Sequence, residues 1–280
     1  MIVVKYVTGY KKKEFILNDS YEIAIKECNP HFSAWTYEEV KQKLGIKVSS
    51  FGKDPIELDL VFKFRGSESE ISDNMNDFFE ACETDIIEMT PGKLYFNDEY
   101  LTGYFISHET EPASEFYGYE HTASFLAPYP FYIKDLTKDF YPDSAGKAED
   151  ADGLDYDYDY MYDYAGDASG SRTWMIDHFT ESEFEMIIYG PCENPRILID
   201  GYPYEVFDSL EANEYMVINS RNNTVIKYRS NGTTLNIYDL RAKEQSIFKK
   251  IPPGKVSLNW SGAFGFTLTL FTERGEPTWN

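Results

Sequence analysis

Leu58, Leu60, Phe62 and Phe64 alternate with Asp59, Val61, Lys63 and Arg65, the period-two spacing of a strand with one buried face. Immediately afterwards the period changes. Ser67 and Glu70 fit a capping box, and Ile71, Met75, Phe78, Phe79 and Cys82 recur at helical spacing, which predicts one amphipathic helix. Residues 86–89 and 93–96, separated by Thr90-Pro91-Gly92, read as a hairpin, and Asn97-Asp98 as a turn before a strand over 100–107. A further strand is expected over 120–126. The first 134 residues thus predict a β-rich domain with one packed helix.

Residues 135–171 change character and read as an acidic connector. Within 135–170 there are 11 Asp/Glu and only Lys138 and Lys147 as cations, among many Gly, Ala and Ser. Embedded in it, Tyr156, Tyr158, Tyr160, Tyr162 and Tyr164 occupy every second position, so a strand here would line up five rings on one side. Such an aromatic ledge suits a packed strand of the same domain or a contact between subunits. From 172 to 280 short strands are expected over 184–189, 196–199, 215–218, 224–228, 235–238, 246–251, 256–260 and 264–272, with a hairpin turn at Arg221-Asn222-Asn223. That run describes a β-sandwich or a jelly roll.

Charge narrows the partners. The net charge is −22, which argues against a nucleic-acid-binding face or adhesion to anionic lipid. It is unevenly placed: residues 1–65 hold 11 Lys/Arg against 9 Asp/Glu, so the acidic excess lies entirely beyond them. Lys11-Lys12-Lys13 belong to that less acidic segment. Cys28, Cys82 and Cys192 are odd in number and far apart, which fits reduced thiols of a protein made in a cytoplasm. The opening Met-Ile-Val-Val-Lys-Tyr is too short an apolar stretch for a signal peptide, and no apolar window reaches membrane-spanning length, so no membrane partner is expected.

Catalytic patterns do not emerge. His31, His108, His121 and His178 have no partner at metal-ligand or triad spacing, and there is no Gly-x-Ser-x-Gly or phosphate-cradling glycine loop. Asp155, Asp157 and Asp159 begin like a calcium loop, but Tyr160 stands where a glycine must turn and Gly166 where a bidentate glutamate must ligate. No catalytic residue, metal or cofactor is therefore expected. Asn194-Pro195-Arg196 and Asn219 are similar to two pieces of the galectin sugar site. Cys192 stands where galectins carry a histidine, and the Trp-Gly-x-Glu-x-Arg element is missing. A carbohydrate-binding, host-adhesion module is the alternative reading.

Longer stretches carry a broader likeness. Phe184-Glu-Met-Ile-Ile-Tyr-Gly190 with Asn194-Pro-Arg-Ile-Leu-Ile-Asp-Gly201 resembles the start of the second domain of siphophage distal tail (Dit) proteins. Ser246-Ile-Phe-Lys-Lys-Ile-Pro-Pro-Gly254 and Glu273-Arg-Gly-Glu-Pro-Thr-Trp279 resemble their last strands, and Ser124-Phe-Leu-Ala-Pro-Tyr-Pro-Phe131 the close of their first domain. The tyrosine–aspartate stretch is similar to a Tyr-Pro-Tyr-Asp-Tyr-like segment of prophage members. The likeness runs from about Phe51 onwards and lies in the order of these segments; the first 50 residues fit less well.

The resemblance implies a mainly β, non-enzymatic structural protein of the virion tail tip, assembled in the host cytoplasm. It implies a ring-forming belt domain (1–134) and an outward galectin-like β-sandwich (172–280). Six copies would form a homo-hexameric ring between tail tube protein and tail-tip hub protein, anchoring a receptor-binding protein. DNA would pass through its channel without specific binding.

Overall fold

The computed structural model describes residues 3–18, 22–112, 119–142 and 171–278. Among these, strands and a single α-helix divide into two compact units, Met1–Lys134 with Glu273–Asn280 and Asp135–Thr272. The fold class is mainly β, as the alternating pattern predicts.

In the first unit, β1 (Val4–Val7), β2 (Glu14–Ile16), β3 (Ile23–Cys28), β4 (Thr36–Lys41), β5 (Ile46–Gly52) and β6 (Ile56–Phe64) precede the helix α1 (Glu68–Ile87). After it come β7 (Gly92–Phe96), β8 (Glu99–Pro112), β9 (Tyr119–Ala127) and β10 (Tyr132–Phe140). One sheet runs β8-β7-β1-β2, with the start of β10 beside β8; the other runs β3-β6-β9-β8. The long β8 serves both. Its first half pairs with β7 and its second, from Tyr104, with β9, the register shifting between Phe105 and Ser107. Every second residue of β6, from Ile56 to Phe64, is buried. Five such side chains are worth roughly 1.5–3 kcal/mol each when removed from water.

The capping box of α1 is formed: the Ser67 N–H donates to Glu70 Oε2 at 2.7 Å, and the Ser67 hydroxyl accepts from the Glu70 N–H at 3.4 Å. Phe78 then meets Tyr6, Phe15, Phe62 and Phe105 edge-on in the core. Residues 86–89 are not the strand that their apolarity suggests. The buried stripe continues past Cys82 to Asp85, so helical periodicity persists through a carboxylate and the helix runs on to Ile87. Asp85 is buried because three donors converge on it: Tyr6 Oη at 2.7 Å, Gly9 N at 2.8 Å and Tyr10 N at 2.9 Å. This carboxylate ties the β1–β2 turn to the helix. Gly9 is required there, since a Cβ would collide with the carbonyl oxygens of Thr90 and Pro91.

The second unit continues β10 and adds β11 (Ser171–Ile176), β12 (Glu183–Tyr189), β13 (Cys192–Glu193), β14 (Arg196–Ile199), β15 (Tyr202–Glu205) and β16 (Ser209–Leu210). Then come β17 (Tyr215–Asn219), β18 (Thr224–Tyr228), β19 (Thr234–Asn236), β20 (Gly254–Trp260) and β21 (Phe266–Arg274). Sheet β19-β18-β17-β12-β21-β10 faces sheet β11-β20-β14-β15 across a core that includes Phe184, Met186, Ile218 and Leu268 on one side and Ile197, Ile199, Val256 and Leu258 on the other. This is a two-sheet sandwich.

Three expectations change. Residues 246–251 are not a strand: Ile247 and Ile251 are both buried but four apart, and a turn with Lys249 N bonded to Ser246 O at 3.3 Å separates them. Residues 135–140, expected in the connector, complete β10, because Leu136 and Phe140 pack with the sandwich core. Residues 273–278, expected in the second domain, belong to the first unit, held by Tyr129 and Glu99. The stretch up to Gly52, within the expected β-rich domain but with no strand singled out from sequence, supplies five strands, β1 to β5. Among the described residues no helix is long and apolar enough to cross a membrane.

Candidate functional site

Among the described residues, strands β4 and β5 pair only with each other, and every residue in them is exposed. Cross-strand partners share a face, and so do alternate residues along a strand. Tyr37 opposes Phe51; beyond a bulge at Glu38/Glu39, Glu39 opposes Val48 and Lys41 opposes Ile46. One face of the hairpin therefore carries Tyr37, Phe51, Val48 and Ile46 in a row. Leu44, in the tip, is 90% exposed. A two-stranded hairpin is marginal in water by itself, and an amphipathic one with an open apolar face is built to meet another surface. We refer to residues 36–52 as the arm.

The root of the arm is fixed. Lys53 donates to the Gly275 carbonyl oxygen at 2.8 Å, and its ammonium lies 5.1 Å from the centre of the Phe131 ring and 5.9 Å from that of Trp35. Burial pulls the Lys53 pKa down, opposed by Glu276. Glu99, itself buried, accepts from the Thr278 N–H at 2.8 Å and its hydroxyl at 3.2 Å. Tyr132 Oη donates to Pro30 O at 2.8 Å. The exposed hairpin thus springs from a hydrogen-bonded base.

The titratable groups describe packing. Burial pushes the Cys28 thiol up to about 12 and the Cys192 thiol to about 11, and it also raises Cys82, the opposite of an activated nucleophile. His121 is fully buried, with Thr110 Oγ1 2.7 Å from its Nδ1 and Phe79 4.5 Å away, centre to centre; burial, and secondarily His108, lower it to about 4. Among the described residues, no group of three His, Cys, Asp or Glu is placed to hold a metal. The second unit has a cleft of about 380 Å³ lined by Phe140, Tyr141, Tyr189 and Phe264 among others. Asp139 lines it too and accepts from Thr267 Oγ1 at 2.6 Å.

Of the residues singled out by sequence, Tyr156, Tyr158, Tyr160, Tyr162 and Tyr164 lie outside the described residues. Arg196 sits on β14 and Asn219 on β17, strands of different sheets. Asn194 turns the chain in the left-handed region, its N–H bonded to Asp208 O at 2.9 Å, and Arg196 Nε lies 3.7 Å from Glu205. Asn219 donates to Glu185 at 3.0 Å and accepts from the N–H groups of Arg221 and Asn222 at 3.0 and 3.2 Å, which shapes the β17–β18 turn. Its amide is spent on local structure. The arm, by contrast, has no sequence reading, because a strand pair with no buried face leaves no clean alternation.

No protein-family model matches the chain, and no curated protein matches it. Solved structures match it from end to end. The Dit protein of SPP1, described as a paradigm of the hub adsorption apparatus in phages infecting Gram-positive hosts, aligns over 97% of this chain and 99% of its own, with TM-score 0.59 and 9% identity. A chain of the phage P2 baseplate in its activated conformation with Ca aligns over 99% and 100%, with TM-score 0.66 and 12% identity. The same baseplate with Sr gives 99% and 100%, TM-score 0.65 and 15% identity. The chain therefore shares the fold of phage Dit and baseplate proteins over its whole length.

Proposed function

We propose that this chain is a distal tail protein of a phage or prophage-derived particle, a structural baseplate component without catalysis. Its copies close into a hexameric ring that joins the tail tube to the tail-tip hub and anchors host-recognition proteins. The observation that carries this reading is the fold likeness to Dit and baseplate proteins through both units, with almost nothing left unaligned on either side. The first unit is the ring-forming belt and the sandwich the outward platform. The exposed arm supports the reading, since a closed ring needs a head-to-tail interface made of two different patches. A net charge of −22 per copy leaves few cations to hold phosphate, which suits a channel that DNA must leave freely.

Negative-stain microscopy and mass photometry of the purified chain test it. Six-fold rings of about six times 32.4 kDa are expected. A chain that stays monomeric at high concentration and is absent from isolated tail particles would end the proposal.

A further inference from the structure

Within the first unit, the end of α1 is as unusual as the arm. The sequence from 68 to 88 holds eight Asp/Glu and no Lys or Arg, and the last helical turn has no basic residue. Some of these acids are used: Asp77 pairs with Lys13, Glu70 caps the helix, and Asp85 is buried. Glu83 and Glu88 are exposed and make no ion pair among the described residues, at the helix end where the backbone carbonyls already concentrate negative charge.

The same end is apolar. Ile87 and Met89 are each 76% exposed, with Ile86 and Tyr10 also open to solvent, Tyr10 being bonded to Asp85 beside them. Met89 closes the helix in a Schellman arrangement: its N–H donates to Ile86 O at 3.1 Å, and the Thr90 N–H donates to Asp85 O at 2.9 Å. Met89 has φ 51°, in the left-handed region where glycine is the usual occupant. A large apolar side chain here costs backbone strain and leaves its surface in water, so folding gains nothing from it.

The arm offers the complement. Leu44, Ile46 and Val48 are exposed; Lys41 shares the face of Ile46 and Val48, directly opposite Ile46, and Lys43 stands beside Leu44 in the tip, both without an ion pair among the described residues. Resting on the ring reading above, we infer that the arm of one copy lies across the C-terminal end of α1 of the next copy. Leu44, Ile46 and Val48 face Ile86, Ile87 and Met89, while the arm lysines face Glu83, Glu88 and the helix carbonyls. Both surfaces are exposed within one chain and they differ from each other, so repeating the contact is head-to-tail and can close a ring.

The test uses the full chain with mass photometry over a concentration series, alongside thermal unfolding. Lys41→Glu with Lys43→Glu, and separately Glu83→Lys with Glu88→Lys, should each weaken ring formation by at least about tenfold, and all four together in one chain should restore it. Met89→Gly should weaken the ring while leaving the melting temperature equal or higher, a split that a purely structural residue would not give. If wild-type rings form and persist in every variant, or if only the arm pair matters and the four-fold variant fails to recover, this contact is wrong while the distal-tail reading stands. A wild-type chain that never assembles, alone or in particles, overturns both.

Discussion

Asp85 is the residue whose removal best tests how the first unit is held together. Asp85→Ala deletes the acceptor of three hydrogen bonds at 2.7–2.9 Å. Tyr6 is 0% exposed and Gly9 is also buried, so neither donor can turn to water, whereas the half-exposed Tyr10 leaves its neighbourhood partly open. Each buried donor left without a partner costs about 1–3 kcal/mol, and bonds to an ionised acceptor lie at the upper end. Two fully stranded donors and one partly stranded give a loss of about 3–5 kcal/mol. For a unit of this size each kcal/mol lowers the melting temperature by about 2–4 °C, so a drop of roughly 10 °C is expected. Asp85→Asn, which keeps one acceptor oxygen, should fall between. Calorimetry gives the shift, and hydrogen exchange locates it: protection should fall at Gly9 and Tyr10 while β12, β17 and β21 of the second unit keep theirs. A shift under 2 °C, or a loss of protection centred on the sandwich, would show that the carboxylate is not what fastens the β1–β2 turn to α1.

Two further outcomes follow from buried charge and buried neutrality. His121 is held to about 4, below the usual range of an exposed histidine, so the folded state binds fewer protons than the unfolded chain between those values. Stability of the first unit should therefore be undiminished by this group above about pH 6.5 and fall by about 3 kcal/mol as pH drops to 4. Urea midpoints at pH 7 and 4 should differ less in His121→Phe than in wild type, and an unchanged difference would sink the assignment. In the sandwich, buried Lys227 lies 3.3 Å from Asp208 and 3.3 Å from Glu214, and donates to Ser209 O at 2.5 Å. Lys227→Met should cost about 3–5 kcal/mol by stranding two carboxylates, and adding Asp208→Asn and Glu214→Gln should recover most of it in chemical denaturation. Failure of the triple variant to recover would mean that the lysine stem, not its charge, is what matters.

What could be read from sequence was whatever local spacing determines. The β6 alternation and the Ser67–Glu70 box need only their immediate neighbours, and both are present. The end of α1 was hidden because the stripe position after Cys82 is Asp85, whose burial depends on Tyr6, Gly9 and Tyr10, some 75–79 residues away. Residues 246–251 look strand-like by composition, yet the buried pair Ile247 and Ile251 is spaced four apart. The arm was hidden for the opposite reason. Its apolar row is interrupted by Glu39 and Lys41 and offset by a bulge, and none of its strand residues is buried. Asn219 and Arg196, paired by residue type in the sequence, stand on strands of different sheets, a separation that no local spacing reveals.

The distribution of charge bears on how such a chain could assemble at all. Six copies would carry a net charge of about −132, and identical acidic surfaces repel at close range. At physiological salt that repulsion acts over about 8 Å, so it penalises any docking that brings acid against acid. Lys41 and Lys43 near the tip of the arm would invert the sign where the arm of one copy met the helix end of the next. Apolar contact through Leu44, Ile46, Val48, Ile87 and Met89 would then supply the affinity, because exposed ion pairs are worth little by themselves. The charges would select the orientation, since an arm laid on an arm, or a helix end on a helix end, sets like against like. A self-complementary two-fold dimer is disfavoured by the same arrangement that permits a head-to-tail ring.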